Sequence, residues 1–235
     1  MLGSTICLKT LASSKTMSTP GVILQHGPHG PPGLLGEFLA EHHIAHRVHP
    51  VWEEPVPDLS DARFVVSLGS EFSAGGQDPG WVPAEVEALR GAVGAGVPVL
   101  GLCFGGQALA LALGGRVHRT EVPEIGWVAI ESDDPDVPPG PWAQFHYDIL
   151  EVPAGAQELA RSPGGPAAFR AGPHLGVQFH PEVTLEQMNA WLQLDPLLPA
   201  GLDREATIRD GERYAPGAAE HSKRLFGAWF ARLDP

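Results

Sequence analysis

Residues 97–107, Val-Pro-Val-Leu-Gly-Leu-Cys-Phe-Gly-Gly-Gln, constrain the fold more than any other segment of this chain. An apolar run ends at Cys103, two glycines follow almost at once, and helix-forming Ala and Leu residues come next. This order predicts a buried strand, a tight turn and a helix, as in the elbow that presents a nucleophile. Because a helix start favours thiolate over thiol, Cys103 is a candidate nucleophile. For this segment alone, a buried cysteine that only packs is the alternative.

The chain before this segment alternates strand-like and helix-like patterns, which predicts an α/β fold. Apolar runs at residues 21–25, 46–51 and 62–68 have strand character. Apolar residues at helical spacing predict helices over 34–43 and 84–93. Because strands that alternate with helices commonly pair in parallel, we expect a single domain with a mostly parallel central sheet flanked by helices.

The second half of the chain carries shorter segments separated by Pro and Gly. Strand candidates lie at residues 127–131, 142–147, 167–170 and 175–179. A helix over 185–192, an irregular Pro-rich stretch and a last helix over 218–233 follow. We find no repeat and no linker, so residues 20–235 are expected to form one domain. The first nineteen residues, rich in Ser and Thr, are expected to be a disordered tail.

Composition excludes several classes of partner. The formal net charge of −13 argues against nucleic acid and against an anionic membrane surface. No apolar stretch reaches the length of a membrane span. The two cysteines, Cys7 and Cys103, give no disulfide framework, which fits a reduced, cytoplasmic setting.

A second segment, Gly-Val-Gln-Phe-His-Pro-Glu at residues 176–182, offers the base that a thiol nucleophile needs. A predicted strand delivers His180, and Pro181 ends that strand. Glu182 follows two residues after the histidine, so its carboxylate can turn back, fix the imidazole tautomer and stabilise the imidazolium. The alternative for this segment alone is a strand-end histidine beside a solvated glutamate.

Taken together, the two segments resemble the signature segments of class I glutamine amidotransferase domains. Other segments, Glu124-x-Gly-Trp, Phe145-His-Tyr-Asp and Val152-Pro-x-Gly, follow the order of the glutaminase half of GMP synthetase and its free-standing relatives. The resemblance covers about residues 21–230. It implies a flavodoxin-like α/β fold.

The resemblance also implies roles for individual residues. Cys103 would be the nucleophile, His180 the general base and acid, and Glu182 the residue that orients the histidine. The oxyanion hole would combine the backbone N–H of Phe104 with the loop Leu-Gly-Ser-Glu at residues 68–71, through Gly69 and Ser70. Gly69 matches the family's Gly-Gly-Pro loop, whereas Ser70 and the glutamate after it depart from that pattern.

Substrate-binding residues follow from the same resemblance. Gln107 matches the glutamine that contacts the amino-acid end of the substrate, and the backbone of Phe145, His146 and Tyr147 matches the strand that holds it. Tyr147 replaces a usual glycine, so a narrower or differently shaped pocket is expected. For Gln107 the alternative is a helix residue that faces solvent.

The expected function is hydrolysis of the glutamine side-chain amide through a γ-glutamyl thioester, without cofactor or metal, with ammonia passed to an unidentified acceptor synthase or synthetase. No ATP-pyrophosphatase signature follows the glutaminase-like part, so a complete GMP synthetase is not expected. A γ-glutamyl peptidase that acts on γ-glutamyl peptides or conjugates is one alternative. A binding or regulatory module with a disused triad is the other.

Three remaining features are interpreted as structural. Six histidines crowd the first fifty residues, and we interpret them as solvated or loop histidines rather than metal ligands: His26, His29, His42, His43, His46 and His49. The Gly-rich segment 73–78 is interpreted as a flexible turn. Five tryptophans are interpreted as packing residues: Trp81, Trp127, Trp142, Trp191 and Trp229.

Overall fold

The structure, a computed structural model, describes residues 19–233. Within that range the strands are β1 (Gly21–Gln25), β2 (His46–Pro50), β3 (Val65–Ser67), β4 (Val99–Leu102), β5 (Val117–Val128), β6 (Glu131–Ser132), β7 (Trp142–Leu150), β8 (Gln157–Ser162), β9 (Gly165–Ala171) and β10 (His174–Val177). The helices are α1 (Gly33–Glu41), α2 (Trp81–Gly94), α3 (Phe104–Ala112), α4 (Leu185–Leu194) and α5 (Arg204–Ala231).

Eight strands form one sheet in the order β2-β1-β3-β4-β10-β9-β8-β6. The first five in that order pair in parallel, and the remaining pairs are antiparallel. Strands β5 and β7 form a separate antiparallel pair. The predicted mostly parallel sheet flanked by helices is confirmed.

The sheet is buried on both faces, which explains why its central strands are almost wholly apolar. Because side chains alternate along a strand, Ile23, Val66 and Leu100 pack with α1 and α5 on one face. Val65 and Val99 pack with α2 and α3 on the other face. The two helical layers fix the height and tilt of the loops that leave the strand ends.

Several elements differ from the sequence-based expectation. Strand β8 and most of β5 were not predicted, because only residues 127–131 were expected to be strand in the β5 region. Helix α5 begins at Arg204, although its first part was expected to be irregular. The Asp203 carboxylate accepts a hydrogen bond from the Ala206 N–H at 2.9 Å and caps the helix start. Pro216 lies inside this helix but on its exposed side, where water can replace the lost backbone bond.

The expectation of a tail over residues 1–19 falls almost wholly outside the described residues. The extent of the domain remains a prediction. None of the described helices is both long and apolar enough to cross a membrane.

The carboxyl ends of β3, β4 and β10 are neighbours at one edge of the sheet. Ser67 ends β3, Cys103 follows β4, and His180 follows β10 after two residues. In parallel sheets this edge is where ligands bind, because the loops that leave it are free to carry polar side chains. The three candidate segments of the sequence therefore meet at one place.

Candidate active site

Cys103 occupies the turn between β4 and α3 in a conformation that few residues adopt, with φ 50° and ψ −105°. The turn is tight because glycines surround it. A Cβ at Gly101 would lie 2.3 Å from the Gly105 carbonyl oxygen, and one at Gly105 would lie 2.0 Å from the Ser67 carbonyl oxygen. The structure therefore has the strand, turn and helix that the sequence predicted, with the thiol at the start of α3.

The sulfur of Cys103 is almost enclosed, with 3% of the residue exposed. The Gln178 side-chain amide donates to it at 3.8 Å, and the Phe145 carbonyl oxygen lies 3.9 Å away. Sequence reasoning assigned no role to Gln178. The signal was present, because Gln178 and His180 are two residues apart at the end of a strand and so share a face.

His180 and Glu182 form a buried pair in which the imidazole Nδ1 lies 2.8 Å from a carboxylate oxygen of Glu182. The backbone N–H of His180 donates to the Ala143 carbonyl, which ties this segment to β7. The Trp191 ring packs edge-on against the imidazole at 4.9 Å between ring centroids. The histidine is thus oriented by a carboxylate, by the backbone and by an aromatic neighbour.

Two opposing effects set the pKa of His180. Burial disfavours the imidazolium and lowers the pKa, while attraction to the Cys103 thiolate and the Glu182 carboxylate raises it. The two anionic neighbours prevail, so the pKa of His180 lies well above its usual value. A raised pKa keeps His180 protonated over a wider pH range, so its imidazolium can hold a proton for transfer.

The loop after β3 lies against His180. A Cβ at Gly69 would be 2.5 Å from the imidazole Cε1, so only glycine allows this approach. The Leu68 carbonyl accepts from the Gly105 N–H at 3.0 Å, and the Gly69 carbonyl accepts from the His26 ring at 3.0 Å. Within the described part of the chain, the N–H groups of Gly69, Ser70 and Phe104 have no acceptor.

A cavity of about 560 Å³ opens between these segments. It is lined by nine of the ten predicted site residues: Gly69, Ser70, Cys103, Phe104, Gln107, Phe145, His146, Tyr147 and His180. The tenth, Glu182, lies behind the imidazole. The structure therefore brings together every residue that the sequence nominated for the site.

Gln107 is buried, with 3% of the residue exposed, so the solvent-facing alternative is wrong. Its amide nitrogen donates to the Asp148 carbonyl at 2.9 Å. His146 is buried as well, with Nδ1 at 3.0 Å from the same carbonyl and Nε2 at 3.2 Å from a Glu124 carboxylate oxygen. The Gln107 bond ties β7 to α3, whereas the His146 contacts lie within the β5–β7 pair.

Three residues that sequence reasoning did not assign to the site also line the cavity: Arg119, Trp191 and Asp195. The Tyr147 hydroxyl donates to Asp195 at 2.9 Å, and the Arg119 guanidinium lies over the Tyr147 ring at 4.6 Å. Trp191 lines the cavity and donates through its indole N–H to the His29 carbonyl. The interpretation of Trp191 as packing alone therefore needs correction, since its ring faces both His180 and the cavity.

The interpretation of the six N-terminal histidines as solvated or loop residues is wrong for His49, which is buried in β2. His26 does lie in a loop, directly after β1, but it is buried rather than solvated. His26 is 2% exposed and His49 is 6% exposed. The partners that allow their burial come from residues distant in sequence or from backbone carbonyls, as in the 2.8 Å contact between His26 and Glu85. Among the described residues no group of three or more His, Cys, Asp or Glu is arranged to hold a metal ion.

The family model "Glutamine amidotransferase class-I" matches residues 69–195, which is more than half of the chain. The match begins at the loop after β3 and ends at the Asp195 that Tyr147 contacts.

The curated relatives include GMP synthase (glutamine-hydrolyzing) from Aeropyrum pernix, 35% identical over 200 residues. That alignment covers 77% of this chain and 37% of the relative. The enzyme of the same name from Ralstonia pickettii is 30% identical over 203 residues, covering 75% of this chain and 35% of the relative. The chain thus spans little more than a third of the length of these relatives.

Among solved structures, a glutamine amidotransferase from Methylobacillus flagellatus superimposes with a TM-score of 0.81 at 27% identity. The superposition covers 92% of this chain and 96% of that one. A glutamine amidotransferase from Thermotoga maritima matches with a TM-score of 0.80 at 23% identity, which supports the fold alone.

Proposed function

Because this chain belongs to the class I glutamine amidotransferase family, we propose that it hydrolyses the side-chain amide of glutamine through a γ-glutamyl thioester on Cys103. His180 serves as general acid and then as general base. Glu182 orients the imidazole and stabilises its charge. Gln107 and the Phe145–Tyr147 backbone hold the amino-acid end of the substrate.

The first half of the reaction starts from the Cys103 thiolate and the His180 imidazolium. The sulfur attacks the side-chain carbonyl carbon, and the carbonyl electron pair moves onto the oxygen. His180 gives its proton to the amide nitrogen, the C–N bond breaks, and ammonia leaves. The enzyme then carries a γ-glutamyl thioester and a neutral imidazole.

The second half regenerates the enzyme. The neutral His180 takes a proton from water as the water oxygen attacks the thioester carbonyl. The C–S bond then breaks, the thiolate returns to Cys103, and glutamic acid loses its proton to solvent. In both halves the N–H groups of Gly69 or Ser70 and of Phe104 stabilise the negative oxygen, because a fixed donor in a water-poor site needs little reorganisation.

One observation carries this proposal: the imidazole of His180 lies between a buried carboxylate at 2.8 Å and the elbow thiol, beside a loop of unpaired N–H groups. A thiol that only packed would not need the strained φ of 50° at Cys103. Nor would a packing histidine need a dedicated carboxylate in a 3% exposed position.

The proposal is tested by measuring glutamate and ammonia released from glutamine by the purified chain and by its Cys103→Ser variant. We expect equal amounts of both products from the wild type and none above background from the variant. A glutamine-mimicking diazo-ketone should label Cys103, with glutamine slowing the labelling. Binding of glutamine without release of either product would favour a binding module instead.

A second candidate, hydrolysis of γ-glutamyl peptides or conjugates, is favoured by the form of the cavity. Its wall includes the apolar side chains of Phe72, Trp191 and Leu197. Such a wall can contact a leaving group larger than ammonia. The relatives named GMP synthase instead favour glutamine, with an acceptor synthetase that receives the ammonia. Both candidates use the same catalytic groups.

A further inference from the structure

Beneath the loop after β3 lies a buried polar network that the proposed catalytic steps do not use. His26 follows β1, and its Nε2 lies 2.8 Å from Glu85 on α2. The other Glu85 oxygen accepts from the Ser67 hydroxyl at 2.6 Å. Both Glu85 and Ser67 are fully buried. The remaining ring nitrogen of His26 reaches the Gly69 carbonyl at 3.0 Å.

The chemistry of these groups fixes the direction of the hydrogen bond between the His26 ring and the Gly69 carbonyl. A carbonyl oxygen only accepts, so His26 Nδ1 carries the proton and donates to Gly69. Between Nε2 and the Glu85 carboxylate one proton is shared, whichever atom holds it. The pair is therefore neutral overall, which limits the cost of burying it.

The bond to Gly69 has a consequence for the next residue. The peptide between Gly69 and Ser70 is not among the cis bonds of the chain, so its N–H points opposite to its C=O. With the carbonyl held toward His26, the Ser70 N–H faces away from the interior, and Ser70 lines the cavity. Rotation of this peptide would turn the Gly69 carbonyl oxygen toward the position where the substrate oxygen becomes negative.

The His26 ring is itself held in place by aromatic neighbours. It stacks on Trp81 at 5.1 Å between ring centroids and touches Phe104 at 4.7 Å. Phe104 carries the other proposed oxyanion donor. The same imidazole therefore contacts both parts of the proposed hole, one by a hydrogen bond and one by packing.

We propose that His26, held by Glu85, is a positioning residue that keeps the Gly69–Ser70 peptide turned with its N–H toward the reacting carbonyl oxygen. This inference rests on the proposed function and deepens it. Because the oxygen becomes negative only in the transition state, loss of the positioning should lower kcat and leave KM for glutamine nearly unchanged.

The test uses the double variant His26→Phe/Glu85→Leu in the full chain. Phenylalanine keeps a ring against Trp81 and Phe104, and leucine removes the carboxylate that would otherwise lose its partner. We expect kcat for glutamine to fall by at least about tenfold, since removal of one oxyanion donor costs roughly a hundredfold or more. KM should change by less than about twofold.

Two matched variants separate positioning from a general loss of stability. His49→Phe changes another buried histidine that bonds a backbone carbonyl, Pro55, away from the cavity, and it should leave kcat unchanged. His26→Asn/Glu85→Leu returns an N–H donor near the position of Nδ1 and should recover most of the lost kcat. If the first double variant does not fold, Glu85→Met, which releases the ring, should lower kcat at least about threefold with KM maintained.

The outcomes distinguish this inference from the proposed function. If the His26→Phe/Glu85→Leu variant folds and keeps the wild-type kcat, the positioning role alone is overturned. If that variant does not fold, a wild-type kcat in Glu85→Met overturns the positioning role in the same way. A parallel loss in His49→Phe would also overturn it, because the effect would then be unspecific. A wild-type chain that releases no glutamate would overturn the proposed function, and the inference with it.

Discussion

At the scale of single residues, the surroundings of Cys103 favour negative charge on its sulfur. The thiol sits at the start of α3, accepts from the Gln178 amide and lies beside His180, whose pKa is raised. Glu182 has one oxygen on the imidazole and a second buried oxygen with no partner in the described structure. The imidazole of His180 is therefore the main described partner of the buried Glu182 carboxylate.

The first prediction concerns the pKa of His180. Cys103→Ser removes an anionic neighbour, while the burial that disfavours the imidazolium remains. The pKa of His180 should therefore fall relative to the wild type. NMR titration of the imidazole resonances in both proteins measures the change. A pKa that is unchanged or higher in Cys103→Ser would show that the thiolate does not stabilise the imidazolium.

The second prediction separates the two partners of the buried pair. His180→Ala removes the proton carrier and should abolish turnover. Glu182→Gln keeps the shape but removes the charge, and kcat should fall by roughly a hundredfold or more, less than the loss on removing Cys103. Steady-state glutamate release measures both variants. Wild-type activity in Glu182→Gln would mean that another group orients His180.

At the scale of elements, the site depends on how closely three strand ends approach one another. The elbow follows β4, the His180 segment follows β10, and the loop after β3 lies next to both. Glycine at residue 69 lets that loop touch the imidazole. The Gly105 N–H of α3 donates to the Leu68 carbonyl, and Glu85 of α2 accepts from the Ser67 hydroxyl, so both helices hold the start of this loop.

A third prediction tests this approach. In Gly69→Ala the new methyl group would stand 2.5 Å from His180 Cε1, so the ring or the loop must shift. We expect kcat to fall by at least about a hundredfold, since both the histidine and an oxyanion donor are displaced. Gly91→Ala, in α2 with no atom near the added Cβ, is the matched control. It should keep full activity and gain about 0.5–1 kcal/mol in stability.

The sequence could predict those features that lie within one short segment, but not the contacts between elements that are distant in sequence. The elbow and the His180–Glu182 segment were recognisable because their chemistry lies within a few residues of the chain. The burial of His26 was not, since its partner Glu85 arrives on α2 from far along the sequence. The contact of Trp191 with His180 likewise depends on how α4 docks. The last helix was expected to begin after Pro216, at residue 218, but α5 begins at Arg204 and contains this proline.

At the scale of the whole molecule, the charge of the chain and the lining of the cavity bear on which amine leaves. The formal net charge is −13, and the cavity is lined by the acidic residues Glu71, Asp148 and Asp195 and by Arg119. Both glutamine and γ-glutamyl peptides present the same glutamyl end to this cavity. Only the apolar part of the cavity lining, Phe72, Trp191 and Leu197, distinguishes them, by contacting a larger leaving group.

The fourth prediction addresses this choice. We expect kcat/KM for glutamine to equal or exceed that for γ-glutamyl dipeptides and glutathione, because the contacts with Gln107 and β7 serve the shared glutamyl end. Steady-state kinetics on the isolated chain gives both values. A peptide with kcat/KM more than about tenfold above glutamine, or about 1.4 kcal/mol in transition-state binding, would favour the peptidase.

The central claim is that catalysis passes through a covalent γ-glutamyl thioester on Cys103. The most direct measurement is intact and peptide mass spectrometry of the full chain mixed with glutamine and quenched in acid during turnover. The account predicts a γ-glutamyl adduct on Cys103 that hydroxylamine removes and that Cys103→Ser lacks. Steady glutamate release under these conditions with no adduct on Cys103, or with an adduct on another residue, would contradict it.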